Sequence, residues 1–176
     1  MHMNIRDWIF TYRMRHCPVR HVAFPRYADV RSILILYESD WQERNPYIRE
    51  LVQRLLLEDK DVATWGYCAG KKDVTSPILP TSRILGERDI NILKAPKQEI
   101  INDLLRRPFD LLLDLTQQPC LPLQYLAMYA PCDFKAGRLI RRGIHDFMVD
   151  VPPADTPRYL AEQILYYLQS IHSLDR

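Results

Sequence analysis

Two short, nearly unbroken apolar runs govern what this chain can fold into: residues 32–37 (SILILY) and residues 109–115 (FDLLLDL). Neither alternates polar with apolar residues, so neither suits a sheet with one wet face. Both read as strands covered on both sides, which is the pattern of a parallel sheet lying between helices. Parallel neighbours need a long crossover, usually helical, and helical patterns do follow the runs. Asn45 and Pro46 supply an N-cap and a first-turn proline, and Ile48, Leu51, Val52 and Leu55 then share one helical face to about residue 59. A tight Asp59, Lys60, Asp61 connection leads to residues 62–68 (VATWGYC), which complete a strand, helix, strand unit with the usual right-handed crossover.

The second half repeats the rhythm. Residues 69–96 carry Pro77, Pro80 and Pro96 and read as loop with one short strand near residues 83–85. A helix over residues 97–107 turns Ile100, Ile101, Leu104 and Leu105 inward and is stopped by Pro108, because proline disfavours helical geometry in its predecessor. After FDLLLDL comes a proline-initiated helix at Pro122, then strands near residues 134–137 and 147–151. Thr156 and Pro157 open a last helix with Leu160, Ile164, Leu168 and Ile171 as its buried stripe. The alternation predicts an α/β fold, a three-layer Rossmann-like sandwich around a mostly parallel sheet. It forms a single domain over residues 32–176, preceded by a basic helical arm over residues 1–31.

Charge separates the arm from the body. Residues 1–31 hold six arginines against Asp7 and Asp29, a formal +4, which leaves the remainder at −2 within an overall +2. Ile5, Trp8, Ile9 and Tyr12 recur on one helical face, and the plain expectation is that this stripe docks on the domain or on a second subunit. The sharper expectation is that Arg6, Arg13, Arg15 and Arg20 meet an anionic partner, either RNA or lipid headgroups.

Several chemistries are excluded by what the chain lacks. None of its five glycines builds GxGxxG or GxxxxGK[ST], so the usual backbone phosphate cradles are missing. There is no GxSxG elbow, no CxxC and no HExxH, and no catalytic residue, metal or cofactor is expected. A nucleophilic pair of Cys68 or Cys17 with His145 would need adjacency in space that spacing does not supply. The four cysteines are scattered without framework spacing, and residues 1–17 lack the apolar core of an export signal. The expected setting is cytoplasmic, with reduced thiols. No apolar run approaches the roughly 20 residues of a membrane span.

In an open parallel sheet, ligands bind beyond the carboxyl ends of the strands at the topological switch point. That rule selects Glu38, Ser39 and Asp40 after the first strand, Cys68, Lys71 and Lys72 after the second, and Thr116, Gln117 and Gln118 after FDLLLDL. Lys135 and Arg138 flank the next turn. Lys71, Lys72, Lys135 and Arg138 together would favour a phosphate or carboxylate. Asp110 and Asp114 share a strand face about 13 Å apart, too far for a shared proton. Asp114 would bind a metal or a substrate hydroxyl, or else cap the next loop. Tyr159, Tyr166 and Tyr167 on the last helix mark a candidate interface.

FDLLLDL, PLQYLAMYAPCDFKAGR, HDFMVDV and ILYYLQSI together resemble a bacterial family of short cytosolic α/β proteins of unknown function. Its pattern has a Phe-Asp-Leu-Leu strand, a Pro-Leu-x-Tyr helix, an Ala-x-Phe-Lys-x-Gly segment and a late Tyr-Leu. Cys132 and Asp133 stand where that pattern has Lys-Ala. The resemblance implies the fold and brings no catalytic residues. Residues 109–138 alone are similar to the N-terminal half of heptosyltransferase-type glycosyltransferases, which implies a Rossmann-like topology. The functional expectation is a non-enzymatic cytosolic binding or interaction protein, whose basic arm or last helix engages a protein partner or a second copy. The alternative is a sensor or enzyme for a nucleotide-like or sugar-phosphate anion at the strand ends. A third reading attaches the basic arm to RNA or a membrane surface.

Overall fold

The computed structural model describes residues 4–18, 20, 22–39, 45–70, 81–141, 143–152 and 156–171. Its helices are α1 (Ile5–Arg15), α2 (Pro46–Leu57), α3 (Gln98–Leu105), α4 (Leu121–Tyr129) and α5 (Pro157–Ser170). Its strands are β1 (Ser32–Glu38), β2 (Asp61–Tyr67), β3 (Ser82–Leu85), β4 (Phe109–Asp114), β5 (Cys132–Arg138) and β6 (Phe147–Val149). The strands form one sheet in the order β3, β2, β1, β4, β5, β6, and every neighbouring pair is parallel. The expected α/β sandwich is therefore found, with a sheet that is parallel throughout.

The two apolar runs occupy the centre. Ile33, Leu34, Ile35 and Leu36 of β1 and Leu111, Leu112 and Leu113 of β4 are completely buried. Alternate residues serve the two faces: Ile33, Ile35, Leu111 and Leu113 pack with α2 and α5, while Leu34, Leu36 and Leu112 pack with α1, α3 and α4. From β1 the chain moves one way through α2 to β2, and from β4 it moves the other way through α4 to β5. Right-handed crossovers taken in opposite directions put α2 and α4 on opposite faces. The carboxyl ends of β1 and β4 are thus adjacent while their outgoing loops part, which defines the switch point.

Local chemistry shapes the ends of the elements. Asn45 adopts a left-handed conformation (φ 47°) and its side-chain amide donates to the Glu38 carbonyl at 3.0 Å, tying the end of β1 to the start of α2. The Thr156 hydroxyl accepts the Tyr159 N–H, as a helix N-cap should. Helix α3 stops at Leu105, so Leu105 is half exposed rather than inward, and Ile171 lies beyond the buried stripe of α5.

The N-terminal segment is built into the domain through a different face from the one its apolar stripe suggests. Phe10 is completely buried, with its ring edge-on to Tyr125 of α4 at 4.8 Å, and Met14 packs beside it. The Asp7 carboxylate meets Arg141 at 2.7 Å. Ile5, Trp8 and Tyr12 are instead exposed, at 68%, 54% and 55%. Periodicity marks where apolar side chains line up, but Phe10 and Met14, one turn apart on the opposite side, make the deeper anchor. The chain then passes the amino ends of β5 and β6, where Arg20 donates to the Cys132 carbonyl and to Asp146. On the other face Phe24 packs edge-on to Phe134 and Phe147, at 5.1 and 5.9 Å.

Phe10→Ala is expected to lower stability by about 3–5 kcal/mol, the cost of emptying a buried aromatic site. Trp8→Ala is expected to change it by less than about 0.5 kcal/mol. Urea unfolding of both variants checks this; equal midpoints would show that α1 does not dock through Phe10.

Candidate functional site

Strand alternation brings carboxylates together at the switch point. Glu38 follows Leu34 and Leu36 on the α4 side of β1, and Asp114 follows Leu112 on the same side of β4. In the sheet register Asp114 lies between Leu36 of β1 and Gly137 of β5. His145, from the connection between β5 and β6, places its Nε2 2.9 Å from Asp114 Oδ2, and the two side chains are only 4% and 5% exposed. The second oxygen, Oδ1, accepts the Thr116 backbone N–H at 3.0 Å and also the Thr116 hydroxyl. Asp114 therefore caps its loop and holds the imidazole as well.

Gly137 makes that pairing sterically possible. A Cβ at this position would stand 2.8 Å from His145 Nε2 and 3.1 Å from the Asp114 Cβ. With Asp114 as acceptor, Nε2 is the donor nitrogen of the ring. Nδ1 is sealed from solvent and has no hydrogen-bond partner among the described residues. Leaving such a group unpaired costs about 1–3 kcal/mol.

Glu38 lies beside this pair. Its Oε2 accepts the Gln117 N–H at 3.2 Å. Burial pushes its carboxyl above the usual carboxylate range and the negative charge of Asp114 adds to that, while the Gln117 and Gln118 N–H groups and Arg138 oppose it. Gln117 spans the switch point: its side chain accepts from Arg138 at 3.1 Å and donates to the Leu115 carbonyl at 2.9 Å. Cys120, just before α4, has its thiol pushed up to about 12 by burial, with Glu38 and Asp114 contributing. A thiol held protonated in this way is a poor nucleophile.

The expected cations are placed differently. Lys135 is buried in mid-strand and its Nζ donates to the Ala127 and Met128 carbonyls at 2.6 and 3.0 Å, satisfying the last turn of α4. Arg138 is buried between Gln117 and the Val151 carbonyl. Neither is presented to an anion, while Lys71, Lys72 and Asp40 lie outside the described residues. The Ser39 N–H extends the β1 ladder by donating to the Tyr67 carbonyl. Asp110 binds the Arg31 and Ser32 N–H groups at the opposite end of the sheet. Arg20 is ion-paired with Asp146, whereas Arg6, Arg13 and Arg15 make no ion pair among the described residues. Tyr159, Tyr166 and Tyr167 are exposed.

The switch point therefore unites Glu38, Asp114, Thr116 and Gln117 from the sequence candidates, and adds His145 and Gly137. His145 opens the HDFMVDV segment but stands in no catalytic or metal-binding motif. The sequence signal for its position is Gly137, a glycine inside a strand, which marks a close approach to the backbone. The groups that converge are two carboxyl groups and an imidazole. Among the described residues no cluster of three or more His, Cys, Asp or Glu side chains could hold a metal ion. No helix among them is long and apolar enough to cross a membrane.

The chain matches the sequence profile of a family of unknown function (DUF6913) over residues 16–171. No curated protein and no solved structure matches it.

Gly137→Ala is expected to expel the His145 ring and lower stability by about 1–3 kcal/mol, the cost of a lost buried hydrogen bond. Urea unfolding measures this, and a loss under about 0.5 kcal/mol would show that the ring has room. Lys135 supplies a pH test, because burial, with Arg20 nearby, lowers its ammonium to about 8. From there up to the ordinary lysine value near 10.4 the unfolded chain holds more protons at this residue, so its contribution to stability rises with pH. The difference in unfolding free energy between wild type and Lys135→Met should climb in that window with a slope approaching about 1.4 kcal/mol per pH unit. It should be flat below the window, and a flat difference throughout would contradict the burial of the charge.

Proposed function

The chain belongs to this family of unknown function, and we propose that it is a cytosolic binding protein for a small, hydroxyl- or amine-bearing molecule held at the carboxyl ends of β1 and β4. The observation that carries this reading is the His145 imidazole, oriented by Asp114 and spared a clash by Gly137, with a buried Nδ1 that has no partner among the described residues. A lone pair so oriented accepts a hydrogen bond from a ligand O–H or N–H, and the Glu38 carboxyl beside Asp114 offers a second anchor. Both described cations of the anticipated anion pocket are engaged inside the protein, which favours a ligand rich in donors over a phosphate. Four free cysteines support a reducing compartment.

Native mass spectrometry of the gently purified protein is expected to show a small-molecule adduct that Glu38→Gln and His145→Asn each weaken or abolish. Long-range proton–nitrogen NMR of His145 should show Nδ1 unprotonated, with a shift when ribose, inositol or ethanolamine is titrated in. A bare chain whose imidazole resonances ignore all three probes would overturn the proposal.

A further inference from the structure

Helix α1 has two apolar sides, and the domain uses only one. Phe10 and Met14 are turned inward and Asp7 is neutralised by Arg141, which pins the helix flat on α4. The opposite side presents Ile5, Trp8 and Tyr12 to solvent. Trp8 and Tyr12 stack with ring centroids 5.9 Å apart, and His16 continues the row, 4.2 Å from Tyr12. At 100° per residue Arg15 falls on one flank of this stripe and Arg6 and Arg13 on the other. Arg13 and Arg15 are exposed, and none of the three arginines is ion-paired among the described residues. Three large apolar side chains held outward cost solubility, and among the described residues they remain more than half exposed.

We propose that this face of α1 docks on an anionic lipid surface, lying in the headgroup plane with Ile5, Trp8 and Tyr12 inserted and the arginines on phosphates. Charge decides the occupant. A second copy would bring two faces together, each flanked by Arg6, Arg13 and Arg15, and like charges across an interface oppose association. A nucleic acid would use the arginines and the aromatic rings but leave Ile5, and the half-buried Ile9 beside it, without a role. An anionic bilayer uses all of them: the rings suit the interface, the isoleucines the acyl boundary, and the arginines meet the phosphates. Because Phe10 fixes the opposite side, the helix is already formed when it meets the surface, so docking does not have to order its backbone.

The test is co-sedimentation of the full chain with vesicles of phosphatidylcholine alone and of phosphatidylcholine with an equal part of phosphatidylglycerol. Binding is expected only to the second, and should weaken as salt rises. The double variant Arg13→Gln, Arg15→Gln should weaken it about tenfold or more, from the loss of two such contacts. Trp8→Ala should also weaken it while leaving the urea midpoint unchanged. Equal binding to both vesicles, or none to either, overturns the proposal. So does a dimer in light scattering that Trp8→Ala dissociates, which would assign the face to a second copy. Capture of single-stranded RNA with the same sensitivity to Trp8→Ala would assign it to nucleic acid and likewise overturn it.

Discussion

The parallel ladder between β1 and β4 is the constraint on which the rest of the protein depends. Two strands buried on both faces can satisfy their backbone groups only by pairing, because no water reaches them. Helical layers must then cover each face, and the right-handed crossover rule assigns α2 to one side and α4 to the other. The same pairing sets Glu38 beside Asp114 and parts the loops above them. The candidate site is in this sense a by-product of closing the sheet, since carboxyl ends that diverge at a switch point are where side chains can converge without filling the core.

Buried cations follow a common rule in this fold. Lys60 donates to the Tyr27 and Val30 carbonyls, Lys135 to those of Ala127 and Met128, and Arg138 to that of Val151. Each charge removed from water is thus solvated by backbone oxygens at chain turns or helix ends. These residues fasten loops and helices to the sheet and are not available to a ligand anion. The carboxylates at the switch point differ, since Asp114 and Glu38 face a ring nitrogen and backbone N–H groups and keep acceptor capacity.

The N-terminal segment shows how an appendage becomes part of a core. Phe10 lies in one hydrophobic layer and Phe24 packs against the other, so the chain between them clasps the amino ends of β5 and β6. A clasp of this kind protects the edge near β6, a strand of only three residues. It also explains why the net positive charge of the segment says little about its fold: Arg20 is fixed by Asp146 and Arg141 by Asp7.

Strand and helix identity was legible in the amino-acid sequence, because burial on both faces and helical amphipathicity leave local periodic marks: SILILY, FDLLLDL and the Leu160, Ile164, Leu168 stripe all sit where their patterns put them. Part of the site was legible too, as the rule of strand ends selects Glu38, Thr116 and Gln117, and Asp114 stands out near the end of FDLLLDL. Strand order, the inward face of α1 and the engagement of Lys135 and Arg138 were decided only by tertiary structure. Each of these depends on which distant group arrives next to which, as His145 arrives over Gly137 to meet Asp114 across 31 residues. A local pattern records how a segment must be covered, whereas the identity of the covering group is set by the free energy of the whole packed chain.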